Sequence, residues 1–190
     1  MKSDSPTLAE ALRIRNIANG LPPDGGESEE TFCIRLGRLS LRLPNPPARR
    51  RAVFFHDTNH VLTDYDNVFS RGEMDIAGFE IASGCGPYLF AWLINLNMFA
   101  LGLVVRPRAL FRAFVRGRRS AASMYRRAES RAVLSAITVD ELRESLRIDS
   151  PGPASSRDWL LFASWGLAAV VTLLLPFGVV LLIGRYFLTP

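Results

Sequence analysis

The chain has 190 residues, a hydrophobic fraction of 48% and a formal net charge of +5. Length alone argues for one compact domain with an appendage, and the apolar fraction is ample for a core. Basic balance suits nucleic acid, anionic lipid or a phosphorylated substrate, and nucleic acid drops out because no recognition motif accompanies the charge.

Lys2 is the only lysine, and the arginines are unevenly placed. Arg106 to Arg131 holds nine arginines against one acid, Glu129. Cys33 and Cys85 stand far apart, which excludes a metal knuckle and a disulfide scaffold. Both read as small apolar residues in a reducing compartment. "MKSDSPTLAEALRIRN" lacks a sustained apolar core and is broken by acids, unlike a secretory signal.

The first predicted element is a helix, with Ser5 as cap and Pro6 at its first position. Leu8, Leu12 and Ile14 give it an apolar side, and Asn19-Gly20 stops it. "LPPDGGESEE" reads as an exposed loop. "TFCIRLGRLSLRLP" alternates apolar and polar residues, with Gly37 at the change, which predicts one or two short strands. A helix is predicted from Ala48 to about Asp64, then a turn in "DYDN". Ser70 and Glu73 have capping-box spacing at the start of a helix that runs to Gly84.

Residues 88–105 are uncharged, which suits either a buried helix or a short membrane span. Asn95 and Asn97 favour the buried helix or the wall of a lipid pocket, because amides are costly at a bilayer centre. Arg108, Arg112, Arg116 and Arg119 then recur at helical spacing. They read as a solvated face, a patch for anionic headgroups, or a site for a lipid phosphate or partner enzyme. "TVDELRESLRI" predicts a short helix capped by Thr138, with Leu142 and Leu146 inward and Glu141, Arg143 and Glu144 in water. "DSPGPASSRD" reads as a linker.

Residues 159–184 carry no charge, and as a helix they measure about 39 Å, longer than the hydrocarbon core of about 30 Å. Trp159, Trp165, Arg185 and Tyr186 suit the interfaces, and Pro176 predicts a kink. The segment is read as a C-terminal membrane anchor over 159–187, after a linker over 151–158 and a domain over 1–150. The arginine excess before it places that domain on the cytoplasmic side.

Both histidines of the chain, His56 and His60, lie one helical turn apart. Two imidazoles on one face hold a divalent metal when a third ligand arrives, and Glu73 opens the next helix. Two histidines and one carboxylate serve hydrolytic zinc or ferrous iron. Asp57 is a further ligand or an orienter of a histidine, and Glu80, seven residues after Glu73, is a supporting carboxylate behind them. The plainer alternative makes the histidines surface polar residues and Glu73 only a cap partner.

"HDTNHVLTDY" followed by "GEMDIAGFE" resembles the ubiquinone (coenzyme Q) biosynthesis protein 4 family. That family carries H-D-x-x-H, eleven residues, then E; here twelve residues separate His60 from Glu73. "RPRALFRAF" and "TVDELRESL" extend the likeness over residues 48–148. The resemblance implies a mainly α, bundle-like helical domain and a metal site of His56, Asp57, His60 and Glu73, with catalytic roles. It also implies a prenylated quinone precursor in an apolar groove, partner enzymes of quinone biosynthesis, and oxidative decarboxylation of the ring at C1, a lyase-type reaction. The membrane tail departs from typical members. A non-catalytic prenyl-lipid scaffold and a metalloenzyme for another isoprenoid or aromatic acid are the alternatives. The expected home is a bacterial inner membrane.

Overall fold

The computed structural model describes residues 5–36, 39–68, 71–149 and 152–188, with backbone alone at 34–36, 39 and 179–188. It is 67% helical, with a two-stranded sheet near the N-terminus and a long apolar helix at the C-terminus. This is the mainly α, bundle-like architecture expected.

Helix α1 (Leu8–Ala18) starts two residues later than the Ser5-Pro6 signal predicts. Thr7 is its cap, because Glu10 sits three residues on and closes a capping box. Leu8 and Leu12 are buried, whereas Ile14 is 56% exposed. Strands β1 (Thr31–Leu36) and β2 (Leu39–Pro44) pair antiparallel, with Thr31 opposite Pro44. Cys33 lies on the exposed face of this hairpin, contrary to the apolar role expected; Cys85 is buried.

Helix α2 (Pro47–Thr63) carries the histidines and ends at Asp64 in a left-handed conformation. Helix α3 (Gly72–Ser83) begins after an Arg71 cap position that makes no side-chain capping bond; its guanidinium pairs with Asp66 instead. Ser70, the cap predicted from sequence, lies outside the described residues. Helix α4 (Leu89–Val105) and helix α5 (Pro107–Arg119) follow, joined only by Arg106. A short 3-10 turn (Met124–Arg126), α6 (Arg131–Ala136) and α7 (Val139–Leu146) complete the domain. Thr138 caps α7 in a capping box with Glu141, as predicted.

One core cluster joins Leu8 and Leu12 of α1 to Phe54 and Leu62 of α2, Ile76 and Phe79 of α3, and Leu142 and Leu146 of α7. Another joins Phe99 of α4 and Phe114 of α5 to Phe162 and Ala169 of the last helix. Helices α3 and α5 cross at van der Waals distance because glycine lines both. A Cβ on Gly117 would lie 2.2 Å from the Phe79 carbonyl oxygen, and one on Gly78 2.8 Å from that of Leu110. Helix α3 is thereby clamped against α5 with α4 beside it, and it carries two buried or half-buried glutamates.

Helix α8 (Ser156–Leu188) is capped by Ser155, whose hydroxyl and N–H both bond Asp158. The helix therefore starts three residues before the span expected from residue 159. Pro176 lies inside it. It is long and apolar enough to cross a membrane.

Candidate metal centre

His56 and His60 face the same way from α2, their ring centroids 4.7 Å apart and nearly perpendicular. Each ring is fixed at Nδ1. His60 Nδ1 donates to the Tyr65 carbonyl at 3.0 Å, and His56 Nδ1 donates to the Glu80 carboxylate at 3.2 Å. Those acceptors require the proton on Nδ1, so each Nε2 presents a lone pair. The two Nε2 atoms lie 3.2 Å apart. Glu73 faces both, with one oxygen 3.4 Å from His56 Nε2 and the other 3.4 Å from His60 Nε2.

Three acceptors thus converge with no donor of their own. Such a cluster is stable only around a cation or a shared proton. The spacing fits a metal: bonds of about 2.0–2.1 Å at tetrahedral angles put neighbouring donors about 3.3–3.4 Å apart. The His56, His60 and Glu73 group could hold a metal ion. His60 is fully buried, while His56 and Glu73 are about a quarter exposed, at 23% and 24%, so the centre opens on their side.

The free centre answers its own crowding by proton uptake. Burial opposes a charge on His56, but the Glu80 charge and the bonds to Glu73 and Glu80 outweigh it and raise its pKa well above the ordinary 6.5. Glu73 is affected in the opposite sense. Burial would raise it, yet the His60 and His56 rings hold it far below the usual carboxylate range.

Glu80 is completely buried and takes four donors from three other segments. Besides His56, these are Asn59 at 2.7 Å, Asn95 at 2.6 Å and the Tyr125 hydroxyl at 3.0 Å. A buried carboxylate with its lone pairs filled remains charged. It then favours a cation beyond the imidazole. Glu73 and Glu80 are two turns apart on α3, so one His56 ring bridges them through its two nitrogens.

Asp57 stands apart from the converging donors, because successive helical residues point about 100° apart. Its carboxylate lies under the loop at Gly25, where a Cβ would come within 2.3 Å of Oδ2. Burial raises its pKa, opposed by His56, His60 and Arg49. It acts on the centre through its field. Arg15 and Arg49 also lie within electrostatic reach of both Asp57 and Glu73.

The turn after α2 shapes the third ligand. Asp66 Oδ1 accepts the Val68 and Gly72 N–H groups, folding the chain back on itself. A Cβ on Gly72 would lie 1.7 Å from the Asp66 carbonyl oxygen, so only glycine fits just before Glu73. Arg15 bonds the Tyr65 carbonyl and the Asn67 side chain, which pins the same turn from α1.

Sequence reasoning missed Asn59, Asn95, Tyr125, Arg15 and Arg49. Asn95 had a signal, as a lone amide on the inner side of an uncharged helix. The others are ordinary residues in unremarkable contexts. The arginine stripe is divided by the fold. Arg108 and Arg112 are exposed. Arg116 instead donates to the carbonyls of Thr63 and Ile148 and pairs with Asp149, while Arg119 bonds the carbonyls of Gly152 and Pro153. Arg143, expected in water, donates to the Leu62 carbonyl at 2.9 Å and pairs with Asp64.

No family model, curated protein or solved structure matches the chain.

Proposed function

We propose that the chain is a membrane-anchored divalent-metal protein that acts on a prenylated quinone precursor. The observation that carries this reading is the convergence of two Nε2 lone pairs and the Glu73 carboxylate, backed by a buried charged Glu80. Zinc and ferrous iron both suit that donor set. The likeness of "HDTNHVLTDY" and "GEMDIAGFE" to the ubiquinone biosynthesis protein 4 family supplies the reaction, oxidative decarboxylation of the prenylated benzoate ring at C1. The bound metal would supply Lewis acidity at the ring carboxylate. His56, His60 and Glu73 would hold it, and Glu80 would orient His56. Arg15 and Arg49 add positive potential that draws an anionic substrate toward the open side.

Helix α8 supports a membrane location, with residues 1–150 as the domain it carries. The arginine-rich stretch before α8 favours the cytoplasmic face of a bacterial inner membrane. Exposed Arg108 and Arg112 suit anionic lipid headgroups, each worth about 1 kcal/mol near the surface. Other enzymes of quinone biosynthesis are the natural partners.

A second reading, a non-catalytic prenyl-lipid scaffold, is favoured by the exposed apolar surface of α4 and α8. One comparison separates them. Full-length wild type and His60→Ala are purified in detergent, and bound metal is measured by mass spectrometry beside quinone synthesis in cells that depend on the protein. Near-stoichiometric metal and synthesis, both lost in a folded variant, support the enzyme. Synthesis retained without metal supports the scaffold.

A further inference from the structure

Helix α4 carries no charge over its 17 residues, and its two sides have different surroundings. The inner side is buried and holds Asn95 against Glu80. The other side is exposed toward both ends, from 39% at Ile94 to 84% at Val104, with Ala100 buried between them. Leu89, Leu93, Ile94, Val104 and Val105 share one half of the helix circumference at about 100° per residue. Asn97 falls in the same arc, and its amide N–H turns back onto the Leu93 carbonyl at 2.7 Å, which hides part of its polarity. Large apolar side chains exposed on one face in this way mark an interaction site.

Helix α8 decides what covers it. Its 33 residues measure about 50 Å, whereas a hydrocarbon core takes about 20 residues. The stretch of α8 that is long and apolar enough to cross a membrane runs from Ser156 to Gly178. Ala169 is fully buried against the domain, and Leu173 packs on the same cluster. Trp92 of α4 stacks on Trp165 at 5.3 Å, and Leu103 lies where a Cβ on Gly166 would be 3.3 Å away. The membrane-crossing stretch of α8 is therefore the part packed on α4, which brings α4 to the bilayer with it.

We infer that the outer face of α4 is immersed in the near leaflet of the bilayer that α8 crosses, with lipid acyl chains as its occupant. The inference rests on the reading of α8 as a membrane span. Tryptophan placement supports it independently. The chain's three tryptophans, Trp92, Trp159 and Trp165, all lie on α4 and the first turns of α8, and that residue concentrates at membrane interfaces. Helix α4 is then a single wall between lipid and metal centre. Leu93 and Ile94 face acyl chains, and Asn95 beside them holds the carboxylate that orients His56.

The test uses the full chain with Cys33→Ser, leaving Cys85 buried. Leu93→Cys, Val104→Cys, Leu174→Cys and Glu144→Cys are each labelled with an environment-sensitive fluorophore. The proteins are reconstituted in phosphatidylcholine–phosphatidylglycerol vesicles, then quenched by nitroxide lipid or by aqueous iodide. Labels at 93 and 104 should be quenched several-fold more by nitroxide lipid than the label at 144, and be protected from iodide. Iodide access at 93 and 104 equal to that at 144, with 174 still quenched from the lipid, overturns the inference and leaves the anchor standing. A label at 174 that lipid nitroxide fails to quench overturns the anchor and the inference together. Protection of 93 from both quenchers means a second protein chain covers α4, which also overturns it.

Discussion

Glu80 is the residue on which the centre turns, because it faces only donors. Replacing it by glutamine keeps the size and puts an amide N–H₂ against His56, Asn59, Asn95 or Tyr125. Glu80→Gln should weaken metal binding about 10–100-fold, as losses behind a ligand do. It should also cost about 1–3 kcal/mol of stability from the unmatched polar contact. Metal titration followed by calorimetry reads the first, and urea unfolding the second. Unchanged affinity would show that His56 needs no partner behind it.

The same residues set a pH dependence. The His56 pKa is raised in the folded, metal-free protein, so its contribution to stability is complete below the unfolded value of 6.5. That contribution fades as pH rises through the higher folded value. Glu73 is lowered, so its contribution is present above 4.5 and fades as pH falls below that value. A metal must displace the His56 proton. Affinity should therefore rise with pH across neutrality, with about one proton released per metal bound. Calorimetry in buffers of different ionisation enthalpy counts that proton, and a count of zero contradicts the Nε2-centred site.

At the scale of elements, the turn between α2 and α3 positions the third ligand. Gly72→Ala forces a Cβ into the Asp66 carbonyl, 1.7 Å away, so the turn must open. A loss of about 1–3 kcal/mol is expected, as for other overpacked sites, together with weakened metal binding because Glu73 is the next residue. Thermal melts with and without metal would show both effects. The cap of α8 is a contrasting case. Asp158 accepts from Ser155 and meets Arg118 at 3.4 Å. Asp158→Ala should cost about 1 kcal/mol without touching metal content, since the cap is remote from the ligands.

The whole molecule couples metal to fold, because the ligands come from two different helices, α2 and α3. Metal bound only by the folded state at 100 times its Kd adds about 2.7 kcal/mol. Chelation should lower the melting temperature of wild type and leave that of His60→Ala unmoved. Equal shifts in both would place the stabilising metal elsewhere.

The sequence by itself determined much of this protein. Helices α1 to α5 and α7, the hairpin and the apolar tail were legible because periodicity, capping pairs and glycine–proline punctuation are local signals. His56, His60 and Glu73 were legible because i, i+4 spacing fixes a shared face without any tertiary knowledge. Other features were decided only by tertiary structure. Asn59, Asn95 and Tyr125 come from three segments to one buried carboxylate, and no local spacing encodes that meeting. Arg116 and Arg119 left the basic stripe because the chain carbonyls they bond lie 32 to 53 positions away. Cys33 went outward because a two-stranded hairpin has a face that nothing covers. Local sequence sets conformation and face, whereas the partner on each face depends on how helices far apart in the chain pack.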